Sequence, residues 1–195
     1  WWNQGRTNLA AMKGFIDLVL DIPGFDGEII IAENHHFMDD SLPENENHYL
    51  VNKEIILAHD ILLRDLGCKW DMIGGLPKDW ETSPAADRAR DNLKTILKKR
   101  YPSEGFRIIN DPRMCRLMPL WEPLLGELGI KPGLVLFLRH PMETARSLHK
   151  KHQVDLPRGF LLWLSHYREA FTFCRNYPSA AVTYDQLLAD PVSTV

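Results

Sequence analysis

The sequence predicts an α/β fold with a central parallel sheet flanked by helices. Short apolar runs, Glu28 to Ala32, Phe106 to Ile109, Leu134 to Leu138 and Ala180 to Thr183, read as buried strands. Longer segments with apolar residues at helical spacing stand between them, and that alternation marks a parallel sheet buried on both faces. A length of 195 residues corresponds to one domain, or one with a short appendage. With 45% hydrophobic and 25% charged residues, the composition excludes disorder, collagen and a disulfide mini-protein.

Leu9, Met12, Ile16, Val19 and Leu20 predict an amphipathic helix over Asn8 to Leu20, broken by Pro23, Gly24 and Gly27. After the first strand, residues 33 to 49 are polar and aperiodic, hence loop. Ile55, Ala58, Leu62 and Leu66 place a helix over Val51 to Leu66, with Gly67 just past its end. Gly74, Gly75, Pro77 and Pro84 mark a turn-rich connection, and Asp87 to Arg100 is a charged helix closed by Pro102. A helix from Met114 to Leu128 ends at Gly129 and Pro132. Pro141 opens a helix running from Met142 to about Lys151. A long helix over Arg158 to Asn176 and a short one over Asp185 to Ala189 complete the order. There is no internal repeat and no low-complexity tract.

The formal net charge of −3 argues against a general nucleic-acid binder. Its distribution is uneven. Residues 1 to 60 carry 3 basic and 11 acidic side chains, whereas residues 131 to 175 carry 8 basic and 3 acidic ones, with His140, His149, His152 and His166 beside them. That asymmetry suits an anionic ligand near the later segment, or equally a solvated basic helix face. No apolar run approaches the roughly 18 residues of a membrane span, and no signal peptide opens the chain. Cys68, Cys115 and Cys174 stand far apart and cannot all pair, so reduced thiols in a cytoplasmic setting are expected. The opening on Trp1 and the end at Val195 are the pattern of a fragment or processed piece.

In an open α/β sheet, ligands bind at the carboxyl ends of the strands. Arg139 stands there, directly after Leu134 to Leu138 and before Pro141. The free N–H groups and positive dipole end of the next helix favour an anion. Ser147, eight residues on, is about two turns into that helix. Arginine and hydroxyl can hold one phosphate together. Against this, an arginine at a strand end often just pairs with a nearby carboxylate.

The stretch Leu138-Arg139-His140-Pro141-Met142-Glu143-Thr144-Ala145-Arg146-Ser147-Leu148 resembles the 3′-phosphate motif of sulfotransferases, which use 3′-phosphoadenosine 5′-phosphosulfate (PAPS) as sulfuryl donor. Asp111-Pro112-Arg113-Met114-Cys115-Arg116-Leu117 with Pro119-Leu120-Trp121 resembles a strand-loop-helix segment of the bacterial branch. Trp163 with Tyr167, and Val182-Thr183-Tyr184-Asp185-Gln186-Leu187-Leu188-Ala189-Asp190-Pro191, are similar to later family segments. Upstream, Leu57-Ala58-His59-Asp60 to Gly67, Trp70-Asp71 and Leu76-Pro77 fit too. The resemblance covers roughly Phe37 to Pro191. It implies a P-loop-NTPase-like sulfotransferase fold over residues 37 to 195, truncated or rearranged at its N-terminus. It also implies that Arg139 and Ser147 hold the 3′-phosphate of PAPS, that Tyr184 lines the nucleotide pocket and that Arg113 contacts substrate or sulfate. The reaction would be in-line sulfuryl transfer to a hydroxyl or amine of a small molecule or glycan, which needs positioning and positive charge.

The chain departs from the family in several places. The glycine- and serine/threonine-rich loop that cradles the 5′-phosphosulfate is missing: Ile29-Ile30-Ile31-Ala32 is followed by Glu33-Asn34-His35-His36. Val51 stands where a glutamate is frequent, and Asn110 where a lysine usually precedes Asp-Pro-Arg. The chain also stops before the last cofactor contacts. These departures remove the obvious catalytic base, and His59 is the candidate that remains, expected to be partly buried beside Ala58 and Leu62. Residues 1 to 36 do not resemble the family, and part of that segment is faintly similar to an unrelated bacterial domain. An inactive or fragmentary module that only binds adenosine 3′,5′-bisphosphate is therefore the alternative. His35, His36, Asp39 and Asp40 are metal-ligand types without a ligand spacing, and no metal is expected. Trp70, Trp80, Trp121 and Trp163 pack the core or line an acceptor pocket.

Overall fold

The computed structural model describes residues 29–33, 53–100, 108–183 and 185. The chain forms β1 (Ile29–Glu33), α1 (Lys53–Asp65), a 3₁₀ turn (Trp80–Thr82), α2 (Pro84–Arg100), β2 (Ile108–Asn110), α3 (Met114–Glu127), β3 (Pro132–Leu138), α4 (Pro141–His152), α5 (Leu156–Cys174) and β4 (Ser179–Thr183). The expected helices over Asn8 to Leu20 and Asp185 to Ala189, the loop beyond Glu33 and the His35 to Asp40 group lie outside the described residues, Glu33 and Asp185 apart.

The four strands are all parallel, in the order β2-β1-β3-β4. β1 is thus an inner strand: Ile31 pairs with Ile109 on one side and Leu134 on the other. The strand order turns back between β1 and β3, and in open parallel sheets the crevice at such a switch point is where ligands bind. β3 is buried from Pro132 to Phe137, which explains why its sequence is continuously apolar instead of alternating.

Two helices end in the same way. Gly67 takes φ +69°, Gly67 N–H donates to Arg64 O and Cys68 N–H to Leu63 O. Gly129 repeats this after α3, with Ile130 N–H on Leu125 O. This paired bonding satisfies the last carbonyls of a helix and requires a residue that accepts positive φ.

The helix starts differ from the sequence expectation. α2 begins at Pro84, not Asp87, because Ser83 Oγ accepts from Ala86 N–H and Pro84 fits the first helical position. α5 begins at Leu156, not Arg158, because Asp155 caps it by accepting from Arg158 N–H at 2.8 Å. Pro132 opens β3 where the sequence suggested a helix stop.

Ile55, Ala58, Leu62, Leu93, Leu117, Leu120, Trp121 and Leu124 form the main core between α1, α2 and α3, with Trp80 also buried in it. Tyr167 and Ala170 of α5 close a second cluster on Leu136 and Cys115. Cys68 and Cys115 are buried thiols and Cys174 is half-buried. No helix among the described residues is long and apolar enough to cross a membrane.

α4 and α5 meet closely at Gly159, where an added Cβ would stand 2.9 Å from both Cα and Cβ of Ala145. Gly159→Val is therefore expected to cost about 1–3 kcal/mol by overpacking. Urea unfolding would show it; an unchanged midpoint would mean the two helices separate freely.

Candidate functional site

The site is built on the β3–α4 junction at the carboxyl edge of the sheet. Arg139 follows β3, and His140 caps α4 with its own side chain, Nδ1 accepting from Met142 N–H at 3.2 Å. Glu143 N–H and Thr144 N–H both donate to His140 O, at 3.0 and 3.1 Å. The expectation of free N–H groups at this helix start is thus not met: Pro141 has none, and the next three are engaged. The positive dipole end remains, but directed hydrogen bonds to an anion must come from side chains.

Arg139 Nε donates to Glu143 Oε2 at 3.1 Å, and the two side chains are 20% and 45% exposed. The carboxylate pairing that the sequence left open is therefore present. Glu143 and Ser147 lie one turn apart and share a helix face, and Ser147 is half-buried. Arginine, glutamate and serine thus follow one another from the end of β3 along one face of α4, the glutamate between the other two.

The backbone at Arg139 is held from behind by α5. Tyr167 Oη donates to Phe137 O at 2.6 Å and accepts from Arg139 N–H at 3.2 Å. Trp163 Nε1 donates to Arg139 O at 2.9 Å. The rings of Trp163 and Tyr167 pack against each other, with centroids 4.8 Å apart. Both peptide groups of Arg139 are thereby fixed, so its side chain departs from a rigid base. Trp163 anchors the junction instead of simply packing the core, whereas Trp121 and Trp80 are core residues.

Arg113 stands at the corresponding place after β2. β1 separates β2 from β3, so their ends are about 9–10 Å apart. Arg113 Nη1 donates to Asp111 Oδ1 at 2.9 Å, and Arg113 N–H donates to the same oxygen at 3.0 Å. Its Nε lies 2.9 Å from Asp60 Oδ1, an ion-pair contact whose angle makes no hydrogen bond, so the buried Nε–H has no hydrogen-bond partner. Asp111 is fully buried and Asp60 is half-exposed. Burial opposes the charge on Asp111, but the His59 hydrogen bond, together with the Arg113 charge and backbone N–H, outweighs it and holds the carboxyl below its usual range.

His59 is fully buried, not partly. Its Nδ1 meets Asp111 Oδ2 at 2.7 Å and its Nε2 accepts from Trp121 Nε1–H at 3.0 Å. Both ring nitrogens are engaged and the ring has no exposed surface, so His59 is not placed to take a proton from a substrate.

A further arginine carries structural weight that its sequence does not advertise. Arg116, 5% exposed, donates to Met72 O at 2.6 Å, Gly74 O at 3.0 Å and Glu169 Oε2 at 3.2 Å. It ties the turn-rich connection to α3 and α5. Arg158 adds a second tie, Nη2 donating to Asp71 Oδ2 at 2.9 Å. Its three-residue spacing from Arg113 put Arg116 in the same segment, but nothing local marked its partners, which lie 42 to 53 residues away.

Of the residues singled out from sequence, Arg139 directly follows β3 and Ser147 lies about two turns into the helix after it, Arg113 stands two strands away, and Tyr184 lies outside the described residues. Among the described residues no group of histidine, cysteine, aspartate and glutamate is arranged to hold a metal. No family model, curated protein or solved structure matches the chain.

Proposed function

We propose that this chain is a sulfotransferase-type domain that binds PAPS and transfers its sulfuryl group to a hydroxyl or amine of a small molecule or glycan. The observation that carries the reading is the rigid Arg139 junction at the switch point of a parallel sheet, with Ser147 two turns on and Arg113 across β1. In this reading Arg139 and Ser147 hold the 3′-phosphate, and Arg113 contacts the sulfate or the acceptor. During transfer the acceptor atom bonds to sulfur as the bond between sulfur and the bridging phosphate oxygen breaks. The acceptor's proton leaves to solvent or a base, and adenosine 3′,5′-bisphosphate is released. Fixed cations near the moving group supply the stabilisation.

The burial of His59 favours a second reading, in which the domain binds the nucleotide without turning it over. Two results separate them. Titration calorimetry with adenosine 3′,5′-bisphosphate is expected to show binding to the wild type and a loss of about 1.5–3 kcal/mol in Arg139→Ala, or roughly tenfold to more than a hundredfold in affinity. Turnover of PAPS across an acceptor panel would then favour the transferase, and its absence the binding module. A folded wild type that binds no bisphosphate would sink both.

A further inference from the structure

A histidine with no exposed surface and both nitrogens engaged raises the question of what its bonds accomplish. Indole N–H can only donate, so His59 Nε2 must present its lone pair to Trp121 and Nδ1 must carry the proton. That proton goes to Asp111 Oδ2 at 2.7 Å. The other carboxylate oxygen receives two donors from Arg113, one main-chain and one from the guanidinium. With both oxygens committed, the Asp111 carboxylate cannot rotate, and Arg113 Nη1 is fixed relative to the end of β2. Asp60 touches the same guanidinium at 2.9 Å but makes no hydrogen bond to Nε, and it is 47% exposed. Arg113 thus has one buried, hydrogen-bonded carboxylate and one exposed carboxylate that an incoming anion can replace.

We propose that His59 is a positioning residue: by fixing the tautomer and rotation of the Trp121–His59–Asp111 chain, it holds the Arg113 guanidinium toward one anionic end of a nucleotide whose other end sits at Arg139. The proposal rests on the assignment of Arg113 as an anion contact above.

Two substitutions divide the bonds of His59. In His59→Asn the amide N–H₂ overlies Nδ1 and keeps the donor to Asp111 while losing the acceptor for Trp121. In His59→Gln the amide oxygen reaches the place of Nε2 and keeps the acceptor for Trp121 while losing the donor. Two readouts apply to each. The first is the Arg113 Nε–H signal in nitrogen-15 NMR, assigned by its absence from Arg113→Lys. The second is the Kd, without acceptor, for PAPS, whose sulfate is the group assigned to Arg113. The wild type and His59→Asn are expected to show a slowly exchanging Arg113 signal, with Kd values within about threefold of each other. His59→Gln is expected to lose the signal and weaken binding about tenfold or more, as befits a lost charge-assisted contact. A purely structural role for His59 predicts that the two variants behave alike, and that result overturns the proposal. Fast exchange of Arg113 Nε–H in the wild type overturns it as well, whether or not either variant folds. If the wild type binds no PAPS, the nucleotide assignment falls, while the Arg113 signal in the two variants still decides whether His59 fixes that side chain.

Discussion

Arg116→Met is expected to destabilise the fold by about 3–5 kcal/mol, because removing one member of a buried charged pair leaves the other groups without partners. The guanidinium is almost wholly enclosed and bridges three segments: the carbonyls of Met72 and Gly74, and the Glu169 carboxylate. Methionine fills much of the volume but leaves two carbonyls and a mostly buried carboxylate to find water or go unpaired. Loss of packing alone would cost far less, since a flexible apolar chain adapts well to such a gap. For a chain of this length the melting temperature should fall by roughly 6–20 °C. The double substitution Arg116→Met with Glu169→Gln is expected to lose less than the sum of the single ones, because neither charge is then stranded. Additive losses, or a shift of a degree or two in the single variant, would show that the clamp contributes little.

Arg116 also shows what a sequence can and cannot disclose. Strands, helices and their order follow from local periodicity: the continuous apolar run before Arg139 is a strand because it is buried on both faces, and the glycines after α1 and α3 stand where positive φ is required. The places of Arg139 at the end of β3 and of Ser147 on the helix that follows were legible because both depend on local periodicity alone. What escaped depends on residues distant in the chain. His59 sits beside the apolar stripe of α1, so its position suggests partial exposure; its full burial is set by Asp111 and Trp121, 52 and 62 residues on. The engagement of Met142 N–H turns on the rotamer of His140, which accepts where a serine or aspartate would be the usual cap. The hold of Tyr167 and Trp163 on the Arg139 backbone is equally invisible to periodicity, because aromatic residues on a half-apolar helix serve equally well as packing.

Asp111→Asn is expected to cost about 3–5 kcal/mol at neutral pH, and that cost should shrink as the solution is acidified. An amide in this place turns a donor toward either His59 Nδ1–H or the Arg113 donors, and it withdraws the charge that balances a 9% exposed guanidinium. Trp121 closes the escape route: a switch of tautomer on His59 would set its new Nε2–H against the indole N–H. In the unfolded chain an aspartate titrates at about 3.9. In the fold, burial raises the carboxyl of Asp111, but the His59 hydrogen bond and the Arg113 charge bring it below that value. A depressed folded value means that the ionised carboxylate stabilises the native state fully above about pH 4–5, and that this contribution drains away as pH falls through the folded value. The amide of the Asp111→Asn variant has no such titration. Urea unfolding of both proteins between pH 3 and pH 7 should therefore give a difference in stability that is flat above about pH 5 and narrows below about pH 4, contributions common to both cancelling in the subtraction. A gap that stays constant down to pH 3 would mean that Asp111 takes up its proton equally in the folded and the unfolded chain, so that its folded value is not depressed. A gap that widens on acidification would mean that Asp111 is protonated more readily in the fold than out of it, and its pairing with Arg113 would have to be abandoned as the reason for its burial.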